Sequence, residues 1–281
     1  MSAASYREVL PAPFLRRFVE CYWFLQGDAS SASDPQPILP DGCMEIVLNL
    51  GDPFRRCHPD AERAPSQLQP HRMLVGQMDR HVTVRATGLV DVVGVRFHPS
   101  GAHPLLRFSM AELSNHLVPL EEVIDLPETL SGGSSIRERI RSLDAVLTSR
   151  FQSASGLDPD LDRAVKTLVD AEGRISVDAL AAGMGVGPRQ LERKFRERVG
   201  LGPKRFAKVL RFQGVFRRAN ADERLWAALA LDCGYYDQAH FIRDFKSFTG
   251  TSPSALFSRE NAVTRVFTRS ARKSGSYNTP R

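Results

Sequence analysis

The chain has 281 residues, of which 42% are hydrophobic and 25% are charged. This balance is typical of a folded protein and excludes wholesale disorder, and the length suits two domains better than one small core. No run approaches the about 20 apolar residues that span a bilayer, and the N-terminus lacks a basic segment followed by an apolar one, so we expect a cytoplasmic protein without membrane partners. The four scattered cysteines form no CxxC pair, which predicts reduced thiols.

The positive charge is concentrated in the C-terminal half of the chain. Residues 160–281 carry 23 Lys and Arg against 13 Asp and Glu, whereas residues 1–159 carry 15 against 19. A basic half beside an acidic half indicates a polyanionic partner for the basic half alone, with nucleic acid as the leading candidate. A solvated basic surface would give the same count. The arrangement of the charges distinguishes it from a nucleic-acid-binding surface.

Residues 1–126 are predicted to form an N-terminal sensor or regulatory domain with a mixed β-sheet or barrel-like fold. Strands are indicated by the apolar run Met44–Leu50, the alternating segment His81–Ala86 and the β-branched segment Val90–Phe97. We expect these strands to share one antiparallel sheet or open barrel. The stretch 51–70, which contains four prolines, is predicted to be a long loop.

Residues 127–157 are predicted to form a linker with an amphipathic helix, for which Ser135 is a suitable N-cap. Apolar residues recur there at steps of three and four, namely Ile136, Ile140, Leu143, Leu147 and Phe151. Such a stripe must be covered, either by the N-terminal domain or by a second copy of the chain, and both alternatives are open. The segment 152–157 marks the predicted domain border.

Residues 158–258 are predicted to form an all-α domain, in which the helix that opens at Pro188 has the most distinctive pattern of apolar and basic residues. At 100° per residue, one face of this helix is apolar and another is cationic. The apolar face holds Leu191, Phe195 and Val199, and the cationic face holds Arg189, Arg193 and Arg196. Arginine binds guanine bidentately in the major groove and also neutralises phosphates. A merely solvated face would mix signs, yet residues 188–218 carry 11 Lys and Arg against two Glu.

The same order of a short helix, a glycine turn and an outward-basic helix recurs further along the chain. Asp237 is the predicted cap of the second such helix, which turns three phenylalanines inward. Its outer side is predicted to hold Ala239, His240, Arg243 and Lys246. A helix of about 17 residues, or roughly 26 Å at ~1.5 Å per residue, joins the two units. This length can set the outward helices about 34 Å apart, one turn of B-DNA.

With these elements the chain resembles the AraC/XylS family of transcription regulators over about residues 160–258. The resemblance rests on the segment Asp232–Lys246 (DCGYYDQAHFIRDFK) with Phe248, Gly250 and Ser252-Pro253, and upstream on Leu180-Ala181, Arg189, Leu191, Arg193, Phe195 and Gly200. It implies two helix-turn-helix units and sequence-specific binding near promoters. Carried over residue by residue, it implies base-facing positions at Arg189, Gln190, Arg193, Gln238, Ala239 and Arg243.

Two N-terminal segments, Leu39–Glu45 (LPDGCME) and Gly94–Gly101 (GVRFHPSG), look like an uncharacterised sensor-type domain. That likeness implies a regulatory role and names no ligand. Asp41-Gly42 fits a turn and Glu45 a solvent-facing side chain, with ligand contact by both acids as the alternative. Promoter DNA is the expected partner, and RNA polymerase, a small-molecule effector and a second copy of the chain are further candidates.

The histidines and cysteines leave room for other chemistries. The spacing of His71, His81, His98 and His103 fits no standard metal pattern, so neither a metal nor another cofactor is expected. Relatives that repair alkylated DNA use a cysteine in an N-terminal zinc site, and the cysteines here do not provide four ligands, so no enzyme is expected. A thiol switch using Cys43 and Cys57 is a further alternative. The basic tail, residues 259–281, is expected to be disordered.

Overall fold

The fold class is α+β, with strands in the N-terminal part of the chain and helices in the C-terminal part. The computed structural model describes residues 5–28, 35–57, 66–131, 133, 135–218 and 226–257. This arrangement confirms the predicted fold class. The predicted domain borders stay predictions, and the tail that was expected to be disordered lies outside the described residues. Within the described residues, no helix combines the length and the apolar character needed to cross a bilayer.

The strands of the described residues form two antiparallel sheets. They are β1 (Ser5–Val9), β2 (Val19–Asp28), β3 (Gln36–Ile38), β4 (Glu45–Asn49), β5 (Arg55–Cys57), β6 (Gln67–Leu68), β7 (Arg72–Val75), β8 (Val82–Arg85), β9 (Leu89–Phe97) and β10 (Leu117–Pro119). The larger sheet has the order β1-β2-β9-β4-β7-β10, and the smaller has the order β3-β8-β5-β6. The long central pair β2 and β9 makes the larger sheet the platform of this region.

Two sequence-based expectations for this region are wrong. The predicted strands lie in two sheets rather than one, because β8 pairs with β3 and β5 while β4 and β9 pair with each other. The stretch 51–70 is not a continuous loop, since it contains β5 and β6. Pro53 and Pro70 flank these short strands and leave the paired residues free to donate their amide hydrogens.

The helices of the described residues follow the predicted order. They are α1 (His103–Leu106), α2 (Ile136–Gln152), α3 (Pro159–Asp170), α4 (Val177–Gly183), α5 (Pro188–Val199), α6 (Pro203–Arg218), α7 (Trp226–Asp232), α8 (Gln238–Thr249) and α9 (Pro253–Phe257). Local signals place the starts of α3 and α4. Asp158 accepts a hydrogen bond from the Leu161 amide, and Ser176 accepts one from the Ala179 amide.

The apolar stripe of α2 is covered by the N-terminal region of the same chain. Ser135 and Glu138 form a reciprocal capping box at its start. At its end, the Phe151 ring stacks on Phe18 with ring centroids 4.2 Å apart. Leu143, Leu147 and Phe151 belong to the core beneath the larger sheet. The stripe is therefore buried within the chain and is not available as a dimerisation surface.

The helices from α3 to α9 share one apolar core with α6 at its centre. Phe206, near the start of α6, packs against Phe195 of α5 with ring centroids 6.3 Å apart. Further along α6, the Phe212 ring lies 5.4 Å from Phe245 and 4.9 Å from Phe248 of α8. Because α6 contributes rings to both sides, it fixes α5 and α8 to a common support.

Candidate nucleic-acid interface

The first helix-turn-helix unit consists of α4, a glycine turn and α5. Gly185 has φ +65°, a backbone conformation that favours glycine, and it lets the chain reverse after α4. Gly200, with φ +95°, ends α5 in the same left-handed region. The underside of α5 is fully buried and consists of Leu191, Phe195 and Val199. This underside determines which side of α5 faces outward.

The outward side of α5 carries the predicted base-facing residues. Arg189, Gln190 and Arg193 are exposed. Arg196 is exposed too, but its Nε lies 2.7 Å from the Glu192 carboxylate one turn earlier. Surface pairs at this spacing are weak, about 0.3–0.5 kcal/mol, so a DNA phosphate can displace Glu192. Among the described residues, the first unit therefore exposes Arg189 and Arg193 without an ion-pair partner. Arg196 becomes available when a phosphate replaces Glu192 as its partner.

The second unit repeats the plan with α7, a glycine turn and α8. Gly234 has φ +80° in the turn, and Asp237 caps α8 by accepting a hydrogen bond from the His240 amide (2.6 Å). The buried underside consists of Phe241, Phe245 and Phe248. Aromatic rings thus orient α8, whereas α5 is oriented by two aliphatic side chains and one ring.

The outward side of α8 exposes Gln238, Ala239, Arg243 and Lys246. His240 differs from these four residues because it is only half-exposed. Its Nε2 lies 3.4 Å from the carboxylate of Asp244, and its ring meets Tyr235 edge-on with centroids 5.3 Å apart. These contacts hold the imidazole against the protein body. The sequence pattern alone had placed His240 with the outward residues.

Much of the cationic charge of α6 is used inside the protein. The Arg205 guanidinium binds the Asp79 carboxylate of the N-terminal region (2.9 Å), and Lys208 Nζ binds Asp244 of α8 (2.8 Å). The sequence count over residues 188–218 therefore overstates the charge that is available to DNA. Within the described parts of α5 and α8, the cations without an ion-pair partner are Arg189, Arg193, Arg243 and Lys246.

The end of α6 is tied to the turn after α3 through Glu172. The Glu172 carboxylate pairs with Arg217 (3.1 Å) and also binds the Arg218 guanidinium. Burial acts to raise the pKa of this carboxyl, but the hydrogen bonds and charges of the two arginines outweigh it and hold the pKa below its usual range. This ionic contact stabilises the packing of the end of α6 on the end of α3.

The N-terminal region contacts both units, at the ends of α5 and α8. Ser114 Oγ donates to the carbonyl oxygen of Gly200 at the end of α5 (2.6 Å). The His81 amide donates to the carbonyl oxygen of Phe248 in α8 (3.0 Å). The N-terminal region therefore bridges the ends of α5 and α8.

The loop 39–43 makes a third contact, with α6. Leu39 belongs to the core of the helical domain, and the Gln213 side-chain amide of α6 donates to the carbonyl oxygen of Pro40. Gly42 is buried with φ +85°, and a Cβ added there would lie 3.2 Å from the Phe206 ring. The Gln77 amide supports the loop from below by donating to the Gly42 carbonyl oxygen (2.6 Å). This loop is thus fitted tightly between the two parts of the chain.

A half-buried charge cluster lies behind this loop and was missed by the sequence analysis. Arg96 Nε lies 2.8 Å from the Glu45 carboxylate and 3.5 Å from that of Asp41, and Arg96 Nη1 lies 3.6 Å from Glu8. Glu45 is not solvent-facing as expected, because its side chain is only 16% exposed and also accepts from Trp23 Nε1 (3.1 Å). The two sensor-like sequence segments thus meet in one ionic cluster.

Burial and charge act in opposite directions within this cluster. Burial raises the pKa values of Asp41 and Glu45, although the Arg96 guanidinium acts to lower them. The pKa of the Glu20 carboxyl, which accepts from Cys43 Sγ at 3.5 Å, is also raised by burial. Several carboxylates thus compete for one guanidinium close to the loop that touches α6. The only hint in the sequence was a lone arginine between apolar residues of a strand.

Other candidate groups do not gather into a site. Within the described residues, no three His, Cys, Asp or Glu side chains are arranged as metal ligands. His71 and His98 each contact a backbone carbonyl oxygen. Burial raises the pKa of the Cys43 thiol well above its usual value, which disfavours the reactive thiolate that a redox switch needs. The Cys57 thiol contacts the carbonyl oxygen of Arg55.

Two units of helix, turn and helix lie on one apolar core, and each presents a cationic helix outward. This arrangement defines the class as a helix-turn-helix DNA-binding protein. Residues 180–259 match the model of a helix-turn-helix domain of the AraC type, and residues 7–119 match a domain of unknown function, DUF6597. The chain therefore contains a helix-turn-helix domain of the AraC type, as the sequence resemblance implied. No curated protein matches the chain.

Similar solved structures include ToxT from Vibrio cholerae. One ToxT structure is 12% identical to the chain and covers 91% of it and 97% of ToxT, with a TM-score of 0.45. ToxT bound to an unsaturated fatty acid is 13% identical over 84% of the chain and 94% of ToxT, with a TM-score of 0.44. ToxT bound to (E)-4-(8-methylnaphthalen-1-yl)but-3-enoic acid is 10% identical over 91% and 98%, with a TM-score of 0.46.

Proposed function

We propose that the chain binds promoter DNA sequence-specifically and regulates transcription through binding rather than catalysis. The observation that carries this proposal is the pair of recognition helices, α5 and α8, each with a buried apolar underside and exposed unpaired cations. A helix of this kind enters the major groove with its N-terminal residues against the base edges. The alternative is a basic surface that is merely solvated. It is compatible with the paired cations of α6, but it gives no role to Arg189, Arg193 and Arg243, the exposed arginines without an ion-pair partner in the described parts of α5 and α8.

In this proposal the two helices read separate parts of one site. Arg189, Gln190 and Arg193 contact base edges in one major groove, and Gln238 and Arg243 do so in the next. Ala239 offers only a methyl group, which suits a thymine methyl. Arg196 and Lys246 bind flanking phosphates, and His240 supports α8 through Asp244 and Tyr235. One chain then spans about one helical turn of DNA, which is the separation that α6 was predicted to allow.

We further propose that a small molecule or a partner protein controls DNA binding through the N-terminal region. The contacts of Ser114, His81 and the loop 39–43 with the helical domain support this control. A change at the Arg96 cluster would reach α6 through Asp41 and Gly42, which are neighbours in that loop. Because α6 supports both recognition helices, a small shift there alters their relative placement.

Selection of bound sequences from a random pool of duplex DNA, using the full chain, tests the DNA-binding proposal. We expect one enriched motif with two parts and a binding constant that falls steeply with salt. Repetition of the motif within the enriched sequences would identify a second copy of the chain as a partner. Failure to enrich any motif at a salt concentration that permits binding would contradict sequence-specific recognition.

The control by the N-terminal region is tested by a matched pair of arginine variants. Arg96→Gln is expected to lower DNA affinity, because it releases the carboxylates behind the loop that touches α6. Arg139→Gln breaks another arginine–carboxylate pair, with Asp91 (2.8 Å), that lies on α2 away from this loop, and is expected to leave DNA affinity unchanged. Thermal melting would establish that both variants fold. Equal DNA affinities for the two folded variants would contradict the proposed route.

A further inference from the structure

The two glycine turns differ in length by one residue. In the first unit, two steps lead from the left-handed Gly185 to the N-cap, Gly187, whereas in the second unit three steps lead from Gly234 to Asp237. The residue directly after each glycine packs into the helical core, as Val186 does in the first unit and Tyr235 in the second. The additional residue of the second turn is Tyr236.

Tyr236 is held by its backbone and is free at its side chain. Its amide donates to His240 Nδ1 (3.5 Å), and the next residue caps α8, so the position of its Cα is fixed. The side chain is 86% exposed, the highest value among the exposed large apolar side chains of the described residues. No hydrogen bond of its hydroxyl and no ring contact is found within the same part of the chain. The ring therefore contributes little to folding.

The location of this ring gives it a role. It stands immediately before the N-terminus of α8, and the N-terminal end of a recognition helix is the end closest to the DNA. Tyrosine is one of the side chains that bind phosphate oxygens and sugars in protein–DNA interfaces. The phenol hydroxyl can donate to a phosphate while the ring lies against the adjoining deoxyribose. The first unit has no residue at the corresponding place.

We propose that Tyr236 is a DNA-backbone contact that fixes the depth and register of α8 in its groove. This inference rests on the proposed function. It assigns to the second unit an uncharged anchor that compensates for its smaller number of exposed arginines. The ligand is the sugar–phosphate backbone next to the half of the site that α8 reads.

Full-chain Tyr236→Ala and Tyr236→Phe test this assignment on the selected DNA. We expect Tyr236→Ala to weaken binding about tenfold on every sequence variant of the site, the effect of one hydrogen bond to a charged group together with a ring contact. Tyr236→Phe should recover part of this loss. In wild-type protein, ethylation of one phosphate beside the α8 half-site should inhibit binding, and this inhibition should disappear in both variants. Leu231→Ala, another exposed apolar residue of the second unit, should bind like wild type.

The outcomes separate this inference from the proposed function. Wild-type binding together with unchanged affinity of Tyr236→Ala would overturn the Tyr236 assignment alone. A loss confined to particular base pairs would also overturn it, since the ring would then contact a base. Absence of selective binding by the wild-type protein would overturn the proposed function and the inference together. Melting temperatures equal to wild type are expected for all three variants, because the substituted side chains are exposed.

Discussion

In the first helix-turn-helix unit, α5 starts behind Gly187, which has no side chain to accept a hydrogen bond, whereas in the second unit Asp237 caps α8. The first unit is also held against α3 by an ionic contact, between Lys194 of α5 and Asp158 at the start of α3 (2.5 Å), and Glu172 after the end of α3 binds the end of α6. The second unit also has an ionic contact, between Lys208 and Asp244 (2.8 Å), but the buried side of its α8 consists of aromatic rings. The same plan is thus built with mainly aliphatic packing under α5 and with aromatic packing under α8, so the two units should respond differently to the same kind of change.

The buried phenylalanines at equivalent places in α5 and α8 give the largest expected difference. Phe195 and Phe245 both lie eight residues after their N-caps, but among the described residues Phe245 contacts the rings of Phe212, Phe216, Phe241 and Phe257, whereas Phe195 contacts that of Phe206. Replacement of a buried phenylalanine by alanine costs about 3–5 kcal/mol. We expect Phe245→Ala to lie at the upper end of this range and Phe195→Ala at the lower end, because each ring pair adds about 0.5–1.5 kcal/mol.

Denaturant unfolding of the two full-chain variants measures this difference. The free energies of unfolding should fall in the order wild type, Phe195→Ala, Phe245→Ala. The reverse order of the two variants would show that ring contacts do not distinguish the units.

The ionic contact between Glu172 and the end of α6 should depend on pH. Since the pKa of Glu172 is lowered in the folded protein, its ionised form stabilises the fold at neutral pH, and this contribution is lost as pH falls through the lowered pKa. Glu172→Gln is expected to cost on the order of 1–2 kcal/mol at neutral pH, as expected for charge-assisted hydrogen bonds.

The measurement is the free energy of unfolding of wild type and Glu172→Gln from neutral to acidic pH. The gap between the two proteins should narrow toward the acidic end of the series. A gap that stays constant would mean that the ionised carboxylate is not what stabilises the contact with Arg217 and Arg218.

The smallest effects are expected from the helix caps, where a side-chain acceptor can be removed from the second unit and added to the first. Asp237→Ala removes a side-chain acceptor and should cost about 1 kcal/mol, whereas Gly187→Ser supplies one and should stabilise the protein by a few tenths of a kcal/mol. Thermal melting of the two variants detects both signs. Destabilisation by Gly187→Ser would indicate that Pro188 prevents the added hydroxyl from reaching the helix amides.

The parts that the sequence predicted are those that depend on nearby residues. The starts of α3, α4 and α8 follow from Asp158, Ser176 and Asp237, each of which accepts from an amide three residues ahead. The undersides of α5 and α8 follow from the helical repeat of their apolar residues. The outward arginines were predictable for the same reason, because burial of one face fixes the other.

The parts that the sequence did not predict depend on distant partners. Arg205 pairs with Asp79, which lies 126 residues earlier, and no local pattern shows that its charge is consumed. Glu45 was interpreted as solvent-facing, yet Arg96, 51 residues later, draws it into a half-buried cluster. Of the smaller sheet, only β8 was predicted, from the alternating segment His81–Ala86, whereas β3, β5 and β6 are two or three residues long, too short to show an alternating pattern.

The central claim is that α5 and α8 read different base pairs of one site, and matched arginine variants test it most directly. Arg193 and Arg243 both lie six residues after their N-caps. The affinities of Arg193→Ala, Arg243→Ala and a control, Arg163→Ala on the exposed side of α3, would be measured on all single-base variants of the selected DNA. We expect each recognition variant to lose about 1–3 kcal/mol of discrimination at its own base pairs, in two groups about 10 base pairs apart, and the control to lose none. Uniform losses at every position, or one shared group of base pairs, would contradict the account.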